Sequence, residues 1–160
     1  MSVRANLSQK LLTVWNGEPW YGSSSSAILA GVTASEALAH PLPGAQSIWE
    51  TLLHITAWTE ETTSRLNGAD SKDPDRGDWP AVNGSTQEEW MAAQAELLVA
   101  RKALLESIEK AHEESLFLQV PKASGSGATR AQTVNGLADH DVYHLGQIAL
   151  LKKSLKSRQS

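Results

Sequence analysis

Three segments of this chain open on a hydroxyl residue followed three positions later by Glu or Gln, and each then continues on a helical period for several turns. "SIWETLLHITAWTEETTSRLNG" pairs Ser47 with Glu50 and closes at Gly68. The first spacing lets two side chains satisfy orphan N–H groups at a helix start, and a glycine past the last turn stops the helix. Its apolar residues Ile48, Leu52, Ile55 and, at the border, Trp58 recur with the period of a helix, not a strand. "STQEEWMAAQAELLVARKALLESIEKAHEE" offers Ser85 with Glu88, or Thr86 with Glu89, and continues in helix formers to Glu114. "TRAQTVNGLADHDVYHLGQIALLKKSLK" begins at Thr129, paired with Gln132. The pattern predicts helices over 47–67, 86–114 and 130–156. Gly136 and Gly146 each cost the last of these about 1 kcal/mol relative to Ala. Close approach of a neighbouring helix or a ligand is the expected compensation.

The first third is interrupted. "NLSQKLLTVW" is helical in pattern, "NGEPWYGSSSS" breaks it and "SAILAGV" resumes it. A short turn from Thr33 to Ala39 carries its own capping pair, Thr33 with Glu36, and stops before Pro41. Loops are expected at "HPLPGAQ", "NGADSKDPDRGDWPAVNG" and "VPKASGSGAT"; "LFLQV", Leu116 to Val120, is the one short extended candidate. With strand signals otherwise missing, the expected fold is all-α, a four-helix bundle formed by one domain over residues 1–160.

Composition narrows function by exclusion. A net charge of −4 gives no basic patch for nucleic acid, and the tail cations Lys152, Lys153, Lys156 and Arg158 suit the negative end of a helix dipole. Absence of Cys removes disulfides, thiolate metal sites and cysteine nucleophiles. "MSVRANLSQKLL" has no apolar run of signal-peptide length and no later segment approaches a membrane span, so a cytoplasmic protein is expected.

His140 and His144 are the residues that raise a chemical question. Four positions apart on a helix, they differ by about 40° in direction and share a face with Leu137, Gln147, Ile148 and Leu151, while Asp139, Tyr143, Lys152 and Lys153 point elsewhere. Two readings stay open: a structural pair, one ring capping a carbonyl and the other packed, or a two-histidine grip on a metal. His54 lies mid-helix on a face with Ser47, Glu50, Thr51, Trp58, Glu61 and Arg65, which is either solvated or turned toward the histidine pair. Packed helices lie about 8–10 Å apart, and a metal bonded at about 2.0–2.1 Å to each imidazole bridges that gap. Three protein ligands would leave one position open, the pattern of a catalytic site. His40 and His112 read as surface residues.

"SIWETLLHITAW" and "GLADHDVYHLGQIALLKK" together resemble the DinB-like (DinB/YfiT-like) superfamily of candidate metalloenzymes. The H-x-x-x-H-x-G-Q run from His140 to Gln147 and the setting of His54 carry the likeness; "GEPWYG" and "GDWP" are further landmarks. The resemblance implies a four-helix bundle holding one divalent metal, Zn or Ni, through His54, His140 and His144. It also implies kinship with transferases that use a low-molecular-weight thiol, and a tendency to form homodimers, consistent with apolar Val142 and Ala149 on a second side of the last helix. Tyr21 stands where relatives often carry His.

A metal with an open position would give a thiolate at neutral pH, since a coordinating thiol loses its proton outright. The same position could hold water, whose pKa zinc lowers to about 7, giving a hydrolase. A non-catalytic stress-related or ligand-binding bundle is the third possibility. Gln147 is placed to orient a ligand or an imidazole, and Glu61 and Glu50 are candidate proton acceptors, although exposed charge is the simpler reading of both. Trp20, Tyr21 and Trp58 are candidate pocket walls.

Overall fold

A computed structural model describes residues 2–122 and 127–157, so the middle of the "VPKASGSGAT" loop and Arg158 lie outside the described residues. The fold is all-α, with helices α1 (Val3–Asn16), α2 (Ser25–Leu29), α3 (Ala34–Leu38), α4 (Ile48–Leu66), α5 (Gln87–Lys110) and α6 (Arg130–Ser157), and a 3-10 helix at Glu113–Phe117. The capping pairs seen in the sequence set the starts. Ser47 with Glu50, Thr86 with Glu89 and Thr33 with Glu36 each form the reciprocal box. At α6, Thr129 N donates to Gln132 Oε1 at 2.8 Å while Gln132 N donates to Thr129 Oγ1 at 3.2 Å.

Two boundaries differ from expectation. The helix predicted to Glu114 ends at Lys110, where Ala111 turns to extended backbone. Leu116 is fully buried and Glu113 accepts from the start of α1, through Val3 N and Arg4 Nε, and these tertiary contacts outweigh local helix propensity. The "LFLQV" piece is accordingly split. Leu116 and Phe117 complete the 3-10 turn, and Gln119 alone makes an antiparallel bridge, to Thr129.

The four long helices α1, α4, α5 and α6 pack around a core built on Trp15, Leu11, Leu52, Trp90, Leu104 and Ile148. α2 and α3 occupy the connection between α1 and α4. Helix α4 packs against α3, α5 and α6 and is buried on most of its circumference. Buried Thr51, Thr56 and Thr59 tolerate this because each hydroxyl donates to the carbonyl four residues back, at 2.7, 2.9 and 2.8 Å.

The connection between α4 and α5 folds over α4. Arg76 pairs with Glu60 and Glu96, Arg65 donates to the Lys72 carbonyl, and Ser71 N donates to the Pro121 carbonyl. Gly77 then reverses the chain at φ +84°, a left-handed conformation that costs other residues about 1–2 kcal/mol. Gly136 and Gly146 are both exposed, and a Cβ on either would meet nothing within 4 Å, so among the described residues no neighbouring helix approaches them. No helix of the described residues is long and apolar enough to cross a membrane.

Candidate metal centre

α4 and α6 bring His54, His140 and His144 together. His140 Nε2 lies 2.9 Å from His54 Nε2 and 3.1 Å from His144 Nε2, and the three rings supply a group of atoms all within 4.8 Å of one another that could hold a metal ion. His54 and His144 are buried, at 4% and 5% exposure, and His140 is partly so. His40 and His112 are exposed, as expected, with His40 paired to Glu50 at 3.0 Å.

The outer partners of the rings decide what the inner nitrogens present. His54 Nδ1 lies 2.5 Å from the Asp78 carbonyl oxygen, which has no hydrogen to give. The proton is therefore on Nδ1, and Nε2 offers a lone pair. His144 Nδ1 faces Gln147 Oε1 at 2.7 Å, which fixes the same tautomer. Two lone pairs thus point at His140 Nε2. If His140 carried its proton there, one N–H would face two acceptors, and its buried Nδ1 would turn a lone pair toward the Asp141 carboxylate, 3.9 Å away. If the proton sits on Nδ1, three lone pairs converge. A cation resolves either conflict.

Asp141 is fully buried beneath this arrangement. Its Oδ2 accepts from Trp15 Nε1 at 2.7 Å and lies 3.5 Å from Arg101, whose guanidinium stacks over the Trp15 ring. Its Oδ1 and His140 Nδ1 are both buried without a hydrogen-bond partner.

Burial dominates the electrostatics of the rings. It pulls the His144 pKa down to about 4 and lowers that of His54, with the Gln147 and Asp78 hydrogen bonds opposing and the neighbouring imidazoles assisting. Neutral imidazole is the metal-binding form, so these two rings are held ready at neutral pH.

One side of the centre opens on a cleft of about 560 Å³ lined by His54, His144, Thr51, Trp79, Tyr143 and Gln147, among others. Trp79 stacks on His54 with centroids 3.9 Å apart and planes at 11°, while Trp58 Nε1 donates to Asp78 Oδ1 at 2.8 Å and holds this loop in place. Tyr143, expected to point away, instead meets His144 edge-on at 4.9 Å.

Other expectations are redistributed. Glu61, read as more simply an exposed charge, is 3% exposed and bonded to Arg65 at 2.8 Å, two turns along α4 from His54. Glu50 closes the α4 capping box. Trp58 stands beside the cluster, 6.2 Å from His140, but Trp20 and Tyr21 line a separate cleft of about 600 Å³ between α1 and α6, and Trp20 is 96% exposed.

The sequence assigns no role to Asp78, Trp79 or Asp141, the first two entering only as part of the "GDWP" landmark. For Asp141 a signal existed: it falls on the stripe of Val134, Ala138, Leu145 and Ile148, where a carboxylate is out of place. No local pattern shows that the Asp78 carbonyl would meet His54.

Residues 23–148 match the family model described as the DinB superfamily. No curated protein and no solved structure matches the chain. The matched region covers most of the sequence and contains all three clustered histidines: the chain belongs to the DinB superfamily.

Proposed function

We propose that this protein is a divalent-metal enzyme in which His54, His140 and His144 hold the ion, and that it transfers a thiol to an electrophile. The observation carrying this is the convergence of three Nε2 atoms, two of whose rings have their outer nitrogens facing oxygens that accept, the Asp78 carbonyl and Gln147 Oε1. In a tetrahedral site with Zn–N of about 2.0–2.1 Å, ligand nitrogens stand about 3.3 Å apart; the pairs here, at 2.9 and 3.1 Å, need move little. The three ligands come from two rigid helices, and a cleft reaches the cluster from the side of His54 and His144. A bound zinc or nickel would supply Lewis acidity, lowering the pKa of a thiol or of water.

The chain's own groups do the rest. The Asp78 carbonyl and Gln147 Oε1 fix ring tautomers, and the Trp79 ring covers one face of His54 and keeps water from it. Gln147 lines the cleft with its Oε1 taken by His144, leaving its amide N–H groups to orient a ligand.

The test is incubation of zinc-loaded and nickel-loaded protein with 1-chloro-2,4-dinitrobenzene, with and without 2-mercaptoethanol. In transfer, the thiolate sulfur bonds to the ring carbon, chloride leaves and the thiol proton passes to solvent. Acceleration above the protein-free rate only when thiol is present, lost in His140→Ala, is the expected result. Consumption of the electrophile in water alone would replace transfer by hydrolysis, and no acceleration under either condition would point to a non-catalytic bundle.

A further inference from the structure

The cleft beside the histidines has an unusual wall for a site open to solvent: none of its lining side chains carries a formal charge at neutral pH. Leu42, Ala45, Leu150 and Leu151 form its apolar sides, and the Trp79 and Tyr143 rings flank the histidines. Its polar groups are few and partly spent, with Thr51 Oγ1 donating to the Ser47 carbonyl at 2.7 Å and Gln147 Oε1 taken by His144. Of the cations next to the lining residues in sequence, Lys152 is bonded to the Ile28 and Ala30 carbonyls, Arg76 is paired with Glu60 and Glu96, and Lys153 lines a different cleft beside Ser23 and Ala27. The charges that do approach the cluster are negative: Asp78 Oδ1 lies 3.4 Å from His54 Nδ1, and Asp141 stands behind His140.

An ionised carboxylate or sulfonate resting against these walls, away from the position of the ion, would shed water and gain no counter-ion, a loss that apolar contact does not recover. A flat or branched uncharged molecule would lose little and bury its surface against two aromatic rings and the leucines. We infer that the organic molecule admitted to this cleft is uncharged and largely apolar, so that thiols or electrophiles whose bodies bear carboxylates are poor occupants. The inference names a ligand class for the site of the proposed enzyme and rests on that reading only for the molecule's reacting there, since the cleft is present in the chain itself.

A matched pair of fluorescent probes tests it: N-phenyl-1-naphthylamine, which is neutral, and 8-anilinonaphthalene-1-sulfonate, the same ring system with a sulfonate. Each is titrated into full-length protein, metal-free and zinc-saturated, with zinc uptake measured separately. The neutral probe should bind at least tenfold more tightly than the sulfonate in metal-free protein. Leu150→Lys, at an exposed position on the cleft wall, should improve the sulfonate about tenfold and weaken the neutral probe. Equal or tighter binding of the sulfonate to metal-free wild type overturns the inference. So does a Leu150→Lys protein with both affinities unchanged, because the probes would then sit elsewhere. Failure to take up zinc with probe selectivity intact would overturn the metal reading alone; zinc uptake with the selectivity reversed would overturn this inference alone.

Discussion

Asp141 shows how much of the site depends on a residue that touches no ligand position. Its carboxylate is held by Trp15 and Arg101 and leaves Oδ1 turned toward the unpartnered Nδ1 of His140. A small rotation of the His140 ring would make the missing bond, fixing the Nδ1–H tautomer and aiming Nε2 at the ion, as carboxylates do behind metal-bound histidines. Asp141→Asn should therefore weaken zinc binding about 10- to 100-fold by competitive titration against a chelating dye. The thermal midpoint of the metal-free variant, recorded alongside, separates this from the cost of leaving Arg101 unpaired.

The rings also set a pH dependence. The His144 pKa is lowered in the fold to about 4 from 6.5, so the unfolded chain takes up its proton first as pH falls. This contribution to stability is intact above pH 6.5 and lost progressively between pH 6.5 and about 4. Metal-free protein should melt at steadily lower temperature across that window, and His144→Gln should flatten the slope; an unchanged slope would mean that burial does not govern this ring.

At the scale of elements, the loop before α5 and the glycines of α6 make contrasting predictions. Gly77 turns the chain so that the Asp78 carbonyl and the Trp79 ring meet His54, and its φ of +84° disfavours any side chain. Gly77→Ala should destabilise the fold by about 1–2 kcal/mol in urea unfolding and weaken zinc binding, because His54 loses the partner that fixes its tautomer. Gly136→Ala and Gly146→Ala should instead stabilise by about 1 kcal/mol each, since helix propensity improves and nothing among the described residues opposes the added methyl. A loss of stability at Gly146 would show that another surface packs there.

The helices were legible because capping boxes and apolar period are local, and four of the capping boxes written in the sequence form as spaced. The end of α5 was not, because Leu116 and Glu113 obey contacts with distant residues.

Taken over the whole molecule, the histidine cluster is a long-range object: α4 and α6 meet across the core, and the α4–α5 connection closes over their junction. Spacing alone placed His140 and His144 on one face, and the family likeness joined His54 to them. Position on the helix could not tell that Tyr143 would turn toward the cleft, that Trp20 and Tyr21 would face a different one, or that Glu61 would be consumed by Arg65.

The central claim, that three converging imidazole nitrogens call for a cation, is tested most directly by metal content. Purified protein saturated with zinc or nickel and then desalted should retain about one ion per chain by elemental analysis. His54→Ala, His140→Ala and His144→Ala should each lose most of it while staying helical by circular dichroism, since two imidazoles hold a tetrahedral ion poorly. His40→Ala, at an exposed site paired with Glu50 and away from the cluster, should keep it. Wild-type protein that retains no ion and gains no thermal stability from either metal would contradict the account.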